Sequence, residues 1–322
     1  MSRARARRAA PVVVVYYPDP REVERYARLV RAPRGAVRLH VCADAASAAT
    51  VVEDAEVLFA WKFPPPLYAR ARRLRWVQAM GAGVDWALPD VPAGVTITRV
   101  PGVFGPWMAE YVAGWCLWVT QRMQAYRSAQ AQRRWDDTVP PERLAGKTLA
   151  VIGLGEIGRQ IARVARALGM DVVGVSRSGR AVRGVRRVWR MPAVGRALGG
   201  ARFVVVVLPL TDATRASIGA AELAAMRPDA WLMNIGRGPV VDEAALLEAL
   251  ESRRIAGAVL DVFAVEPLPP AHRFWALDNV VITPHIAGPS TPAEIAPVFN
   301  DNLARYLAGR PLRHVVDRGR GY

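Results

Sequence analysis

The stretch TLAVIGLGEIGRQIARVARALG (148–169) decides the fold of this chain. Its first six residues are a short apolar, β-branched run that predicts a strand. From residue 156 onward apolar residues recur at intervals of three and four, which predicts an amphipathic helix. A strand, a tight glycine turn and a helix therefore follow in order, which is the context in which such a turn can bind the phosphates of a dinucleotide.

The glycines of this turn suit a dinucleotide site. Gly153 permits the tight turn, Gly155 lets the backbone approach a pyrophosphate without a Cβ in the way, and Gly158 lets helix and strand pack closely. The helix N-terminus would face the anion. The glycine pattern alone could equally be a structural turn, but a second strand, DVVGV (171–175), follows the helix and favours the dinucleotide site.

The end of that second strand favours NADPH over NADH. An NAD site usually has Asp or Glu about 20 residues past the glycines, where it accepts from the ribose 2′-hydroxyl. Here the sequence is Ser176-Arg177-Ser178, without a carboxylate. Arg177 can stack on the adenine or bind the 2′-phosphate, and the serines can donate to its oxygens. NADH remains possible, and Arg177 could instead be one of many surface arginines.

Three further polar residues follow strands later in the chain. Arg237 lies in MNIGRGPVVDEAALLEAL (233–250), read as a strand, a turn and a helix that opens at Asp242. Glu266 comes just after AVLDVF (258–263), and His285 ends the strand of VVITPHIAG (280–288). The carboxyl ends of parallel strands are where ligands bind in such sheets. Each residue alone could be structural, but together they indicate a catalytic site.

At these stretches the chain resembles the D-isomer-specific 2-hydroxyacid dehydrogenases, and the likeness extends over nearly its whole length. The matching stretches, in family order, are GLGEIG (153–158), LPLT (208–211), NIGRGPVVDEAAL (234–246), LDVFAVEPLP (260–269) and ITPHIAG (282–288). Other stretches are similar to the glyoxylate/hydroxypyruvate reductase A branch: MGAGVDW (80–86), Trp-x-x-Pro-Pro from Trp61, and VVDRGRGY (315–322).

The resemblance implies NADPH-dependent reduction of a small 2-keto acid of the glyoxylate/hydroxypyruvate class to the 2-hydroxy acid. His285 would donate a proton to the ketone oxygen, and Glu266 would hold the other imidazole nitrogen and favour the protonated ring. Arg237 would bind the substrate carboxylate and polarise the ketone. The implied cofactor-binding residues are Gly153, Gly155, Glu156, Ile157, Gly158, Ser176, Arg177, Ser178, Leu208, Pro209, Thr211 and Asp261.

The resemblance also assigns the loop after the apolar strand WVQAM (76–80) to the substrate carboxylate. Small residues there let consecutive backbone N–H groups converge on an anion, although a flexible turn is the alternative. Trp61 either closes the substrate pocket or belongs to a core. The predicted substrate-binding residues are Trp61, Ala82, Gly83 and Val84.

A chain of 322 residues, 52% hydrophobic, is long enough for two domains. We expect an α/β protein with two Rossmann-like doubly wound parallel-sheet domains and a cleft between them. Residues 1–103 and 289–322 would form a discontinuous substrate-binding domain, with strand runs at 12–17, 37–42 and 56–61. Residues 104–288 would bind the dinucleotide. The tail, predicted as a helix over 291–309, would fold back onto the N-terminal domain.

A long helical stretch is predicted over residues 106–135, with one broad aromatic and apolar face. This face suits the core of an interface and favours a homodimer, although burial within one subunit is the alternative. The uninterrupted apolar part is about ten residues long, too short to span a membrane. The face comprises Trp107, Tyr111, Trp115, Trp118, Val119, Met123 and Tyr126.

The net charge of +16 does not by itself indicate a nucleic-acid partner. Lysine occurs only at 62 and 147 and the arginines are dispersed, so no specific nucleic-acid surface is predicted. The leader SRARARRAA (2–10) precedes too short an apolar run for a signal peptide and is interpreted as a frayed end of a cytoplasmic protein. The two cysteines, Cys42 and Cys116, are expected to be buried thiols. No metal is predicted, because the remaining histidines, 40, 272 and 314, lack ligand spacing.

Other functions are compatible with parts of this pattern. A non-catalytic NAD(P)-sensing protein could share the fold, but the intact Arg237, Glu266 and His285 argue against it. The charge would suit a nucleic-acid binder with a vestigial site. A reductase of bulkier 2-keto acids, such as phenylpyruvate, is a third alternative. Gly236 and Gly288-Pro289-Ser290 depart from the commoner family pattern and leave the side-chain specificity open.

Overall fold

The computed structural model of the chain describes residues 9–322. Most of the arginine-rich leader, through residue 8, lies outside the described residues. The chain divides into two compact units. The first contains the residues up to Val103 together with Ser290–Tyr322, and the second is Phe104–Pro289.

The first unit, as far as it is described, contains a five-stranded sheet in which all pairings are parallel. Its strands are β1 (Val12–Tyr16), β2 (Arg38–Cys42), β3 (Ala55–Ala60), β4 (Trp76–Ala79) and β5 (Thr96–Thr98). Their order, β2-β1-β3-β4-β5, is a common doubly wound arrangement. Its helices are α1 (Pro20–Ala27), α2 (Ala45–Ala49), α3 (Pro65–Tyr68) and, from the tail, α10 (Pro292–Leu307).

The tail helix folds back onto the first unit, as predicted. The Phe299 ring stacks on Phe59 of β3 with centroids 4.2 Å apart, and it also stacks on Trp76 of β4. A buried amide contact accompanies these rings, because Asn302 Nδ2 donates to Gln78 Oε1 at 3.2 Å. Aromatic packing and this satisfied polar contact together hold the two ends of the chain in one unit.

The second unit contains a seven-stranded sheet within the described chain, again with parallel pairings. Its strands are β6 (Thr148–Ile152), β7 (Asp171–Val175), β8 (Arg187–Trp189), β9 (Phe203–Val206), β10 (Trp231–Asn234), β11 (Gly257–Leu260) and β12 (Val280–Ile282). The order is β12-β11-β10-β9-β6-β7-β8. The strand order reverses between β6 and β9, which is the usual place for a ligand in such sheets.

The helices of the second unit precede its strands in sequence or lie between them. They are α4 (Phe104–Thr120), α5 (Met123–Ala131), α6 (Glu156–Ala167), α7 (Gly195–Leu198), α8 (Ala220–Ala225) and α9 (Glu243–Glu251). The helix predicted to open at Asp242 does so: Asp242 caps α9 by accepting from Ala245 N at 3.1 Å. Side chains that cap a helix in this way satisfy amides that have no partner within the helix.

The long helix predicted over 106–135 is wrong in one respect, because the chain breaks between α4 and α5. Arg122 adopts a left-handed backbone conformation with φ of 53°. Its guanidinium is held by Glu142 Oε1 at 2.9 Å, while Thr120 Oγ1 bonds back to Cys116 O at 2.9 Å. The apolar pattern continues across the break, so the periodicity alone does not reveal it.

Within residues 9–322, no helix is long and apolar enough to cross a membrane. Cys42 and Cys116 are buried free thiols, as predicted. The same part of the chain has no group of three or more His, Cys, Asp or Glu arranged to hold a metal ion.

Candidate functional site

The glycine turn after β6 has the geometry that a dinucleotide requires. Gly153 has φ of +115°, a conformation that L side chains rarely adopt. A Cβ on Gly158 would lie 2.0 Å from Gly153 O, so this glycine lets α6 pack against the turn. Among the described residues, nothing lies within 4 Å of where a Cβ of Gly155 would stand. This open space at the N-terminus of α6 fits the approach of a pyrophosphate.

The loop after β7 presents hydroxyl and cationic groups. Ser176 Oγ accepts from Gly179 N at 3.1 Å and Ser178 Oγ accepts from Arg180 N at 3.3 Å, which curls the loop. Arg177 is exposed between the two serines. A hydroxyl that accepts a backbone hydrogen bond can still donate its own proton. The loop therefore offers donors where an NAD site would have a carboxylate.

The turn after β9 packs directly on the turn that carries Arg237. A Cβ on Gly236 would lie 2.7 Å from Leu208 O and 2.9 Å from Leu208 N. Gly236, a departure from the commoner family pattern, is therefore required by close backbone contact. The turn after β9 is held by Thr214, whose Oγ1 donates to Pro209 O at 2.6 Å.

Asn234, which the sequence analysis missed, fixes the Arg237 turn from within. Asn234 is buried. Its Nδ2 donates to Arg237 O at 3.1 Å and its Oδ1 accepts from Gly236 N at 3.3 Å. Arg237 Nη1 in turn donates to Gly236 O at 2.8 Å. A polar residue at the last position of an otherwise apolar strand was the available signal.

His285 and Glu266 form a pair. His285 Nδ1 lies 2.9 Å from Glu266 Oε2, and Glu266 Oε1 accepts from Phe263 N at 3.1 Å. The side chains are 36% and 25% exposed, respectively. Both carboxylate oxygens of Glu266 are thus engaged, one fixing the imidazole and one fixing the carboxylate itself.

Asp261 holds the turn on which His285 lies. His285 has φ of 55°, which is uncommon for a residue other than glycine. Asp261 O accepts from His285 N at 2.9 Å. The Asp261 carboxylate accepts from the next two amides, Ile286 N at 2.8 Å and Ala287 N at 3.0 Å. These bonds stabilise the unusual backbone conformation. The predicted role of Asp261 in cofactor binding stays a prediction.

Two hydrogen bonds made by hydroxyl groups connect Asp261 and the His285 turn to α4. Thr283 Oγ1 donates to Asp261 Oδ1 at 2.6 Å, and Tyr111 OH lies 2.6 Å from Thr283 Oγ1. Thr283 gives its single hydroxyl proton to Asp261, so the Tyr111 phenol donates to Thr283. Burial raises the pKa of this phenol. The sequence analysis placed Tyr111 only on the aromatic face and did not single out Thr283, because hydroxyl residues are common on helices and strand ends.

The predicted substrate-binding residues of the first unit also lie together. A Cβ on Gly81 would stand 2.7 Å from Trp61 Cζ3, so the indole ring packs against the start of the 81–84 loop. Val84 O accepts from Ala87 N at 2.9 Å. The predicted binding of an anion by Ala82, Gly83 and Val84 stays a prediction.

In the second unit, the predicted cofactor-binding and catalytic residues follow the carboxyl ends of parallel strands or, at Glu156, Ile157 and Gly158, open the helix after one. A sheet edge that carries a glycine turn, an arginine and a histidine–glutamate pair is characteristic of one class of protein, the oxidoreductases that use NAD or NADP. Residues 113–287 match the family model described as "D-isomer specific 2-hydroxyacid dehydrogenase, NAD binding domain". The chain belongs to the D-isomer-specific 2-hydroxyacid dehydrogenase family, whose members are NAD(P)-dependent enzymes.

Individual relatives cover most of the chain. Glyoxylate/hydroxypyruvate reductase A of Serratia proteamaculans is 32% identical over 276 residues, which are 83% of this chain and 88% of that protein. A family protein of Aeromonas salmonicida has a crystal structure with a TM-score of 0.88 at 36% identity, covering 96% of this chain and 99% of that one. The NADPH-dependent glyoxylate/hydroxypyruvate reductase of Sinorhizobium meliloti, crystallised with NADP and sulfate, has a TM-score of 0.87 at 34% identity, covering 97% and 100%.

Proposed function

We propose that this enzyme reduces a small 2-keto acid of the glyoxylate/hydroxypyruvate class with NADPH. The observation that carries the proposal is the pairing of His285 Nδ1 with Glu266 Oε2 at 2.9 Å. The pair lies at the sheet edge that also carries the Arg237 turn and the glycine turn. A proton donor, a cation for a carboxylate and a dinucleotide cradle are what reduction of a 2-keto acid requires.

His285 delivers the proton. Because Nδ1 is held by Glu266, the ring presents Nε2 to the ketone oxygen of the substrate. When bound, NADPH supplies the hydride to C2 of the keto acid. The ketone oxygen then takes its proton from His285 Nε2, and the product is the 2-hydroxy acid.

Several residues bind the substrate and cofactor in this proposal. Arg237 binds the substrate carboxylate and polarises the ketone, since a guanidinium can grip both groups. In the first unit, the amides of Ala82, Gly83 and Val84 are assigned to a substrate carboxylate, and Trp61 is assigned to shielding it. The fixed Arg237 turn and the packing of Trp61 on Gly81 support this arrangement.

The preference for NADPH rests on Ser176-Arg177-Ser178, which offer donors to a 2′-phosphate and no carboxylate to a 2′-hydroxyl. The other cofactor contacts are assigned to the glycine turn and to Glu156, Ile157, Leu208, Pro209, Thr211 and Asp261. NADH remains a possible second cofactor. The NADP in the Sinorhizobium meliloti structure supports the preference for NADPH.

A panel of 2-keto acids assayed with NADPH and with NADH tests the proposal. Glyoxylate and hydroxypyruvate should be reduced, while dihydroxyacetone and glycolaldehyde, which lack the acid, should lose at least about 10²-fold in kcat/KM because buried donors are left unpaired. Comparable rates for hydroxypyruvate and dihydroxyacetone would refute it. A clear preference for phenylpyruvate would keep the chemistry but move the substrate to the bulkier class.

Substitutions test the roles that this proposal assigns to His285 and Arg237. His285→Ala should lower kcat by about 10²–10⁴-fold with little change in NADPH binding. Arg237→Ala should raise KM and lower kcat, and Arg237→Lys should not rescue it, because an ammonium lacks the planar fork. Arg163→Ala, which removes an exposed arginine of α6, is the matched control. Near wild-type turnover of His285→Ala would remove this residue from the mechanism.

We also propose that the enzyme is a homodimer through the α4 and α5 face. Trp107 and Met123 are exposed, and Trp135 is 93% exposed beside a groove of about 540 Å³. Exposed aromatic side chains of this extent favour an interface with a second copy. Light scattering should give twice the 35.1 kDa chain mass, and Trp135→Arg should shift it toward the monomer. A monomeric wild-type protein would refute this.

A further inference from the structure

Segment 263–266 determines where the Glu266 carboxylate points. Its first amide, Phe263 N, donates to Glu266 Oε1 at 3.1 Å. The backbone of the segment is pressed against the residue that follows Arg237. A Cβ on Gly238 would lie 2.0 Å from Phe263 C and 2.5 Å from Ala264 N. The position of this segment therefore couples the arginine turn to the His285–Glu266 pair.

A second carboxylate fixes the same segment from another side. Glu243, the first residue of α9, accepts from Ala264 N through Oε2 at 3.4 Å. Its other oxygen, Oε1, lies 3.1 Å from His272 Nε2. Glu243 thus joins the backbone just before Glu266 to a second histidine, which the sequence analysis had set aside because it lacks metal-ligand spacing.

The tautomer of His272 follows from its other contact. His272 Nδ1 accepts from Phe274 N at 3.3 Å, which caps the short helix Arg273–Ala276. An acceptor nitrogen carries no proton, so in the neutral ring the proton is on Nε2. His272 Nε2 therefore donates to Glu243. The His272 ring also packs on Phe274 with centroids 4.7 Å apart, and Phe274 is buried in the core of this unit.

We propose that the Glu243–His272 pair is a positioning device for Glu266, because it holds segment 263–266 so that the Glu266 carboxylate faces His285. The functional part of this inference rests on the proposed role of His285. Glu243 needs both oxygens as acceptors, one for Ala264 N and one for His272 Nε2. A glutamine at 243 can satisfy one of these donors but turns its NH2 toward the other.

Two substitutions of His272 separate positioning from capping. Asn places its side-chain oxygen near the position of Nδ1 and is a strong helix cap, but its side chain is too short to reach Glu243. Gln places its amide nitrogen near the position of Nε2 and can donate to Glu243. If the pair positions Glu266, His272→Asn should lower kcat and His272→Gln should not. If His272 merely caps the short helix, His272→Gln should have the larger effect.

The expected kinetic result is a fall of about fivefold in kcat for His272→Asn and Glu243→Gln, the size expected for one lost hydrogen bond. KM and the Kd for NADPH should be unchanged, because neither residue is assigned to binding, and His272→Gln should stay within about twofold of wild type. Glu248→Gln, which neutralises an exposed glutamate of the same helix, is the matched control.

Hydrogen exchange measures the positioning without a substrate. A peptide that contains segment 263–266 should exchange about fivefold faster in His272→Asn and Glu243→Gln, and at the wild-type rate in His272→Gln and Glu248→Gln. This result stands even if none of the 2-keto acids is reduced, so it distinguishes failure of the inference from failure of the proposed function. Equal effects of His272→Asn and His272→Gln, or a larger effect of His272→Gln, would overturn the inference.

Discussion

Asp261→Asn is expected to loosen the turn that carries His285. Asp261 is 1% exposed. Its Oδ1 accepts from Thr283 Oγ1 and Ile286 N, while Oδ2 accepts from Ala287 N at 3.0 Å. Asparagine retains one acceptor oxygen but turns its NH2 group toward the buried Ala287 amide, so two donors face each other.

The magnitude follows from these contacts. Losing one hydrogen bond to a charged group and leaving a buried donor unsatisfied each cost about 1–3 kcal/mol, and the weaker desolvation of a neutral amide offsets part of this. We expect a net loss of about 2–4 kcal/mol in the free energy of unfolding. For a unit the size of residues 104–289, this lowers the thermal midpoint by about 8 °C.

Calorimetry of Asp261→Asn beside Asp171→Asn measures this effect. Asp171 is an exposed carboxylate at the start of β7 in the same unit, and its replacement should change stability by less than about 0.5 kcal/mol. The kcat of Asp261→Asn should also fall by at least about tenfold, because a displaced turn moves His285 away from the substrate. A thermal midpoint within about 2 °C of wild type would show that the carboxylate does not hold the turn.

Three further results are expected. Arg177→Ala should lower kcat/KM with NADPH by about 10–100-fold and leave NADH unaffected; an equal loss with both cofactors would contradict the assignment of the 2′-phosphate. Gly236→Ala should lower the thermal midpoint and the activity, because its Cβ meets the Leu208 backbone at 2.7 Å, whereas Gly200→Ala, whose Cβ points into open space among the described residues, should do neither. The stabilisation that the buried phenols contribute should be full below about pH 10 and fall as the pH rises above it, because these phenols resist ionisation in the folded chain; equal thermal midpoints at about pH 9 and pH 11 would refute this. Burial raises the pKa of the phenols of Tyr26, Tyr68 and Tyr111.

The local elements of the dinucleotide unit could be predicted from sequence because their causes are local. The run at 148–153 forms β6, the glycines form the turn, and Asp242 caps α9. The break at Arg122 could not be predicted in this way. The apolar periodicity passes through it, and the carboxylate that holds Arg122 belongs to Glu142, twenty residues further along the chain.

The sequence by itself determined the residue types of the candidate site and the order in which they appear, since glycine turns, strand ends and caps leave local patterns. The tertiary structure alone decided their partners. The pairing of Glu266 with His285, the clamp of Asp261 on the next turn, and the contact of Glu243 with both Ala264 and His272 join residues from separate strands and loops. The physical reason is that strand order sets which carboxyl ends are neighbours. That order depends on how a whole sheet packs, which no local run of residues encodes.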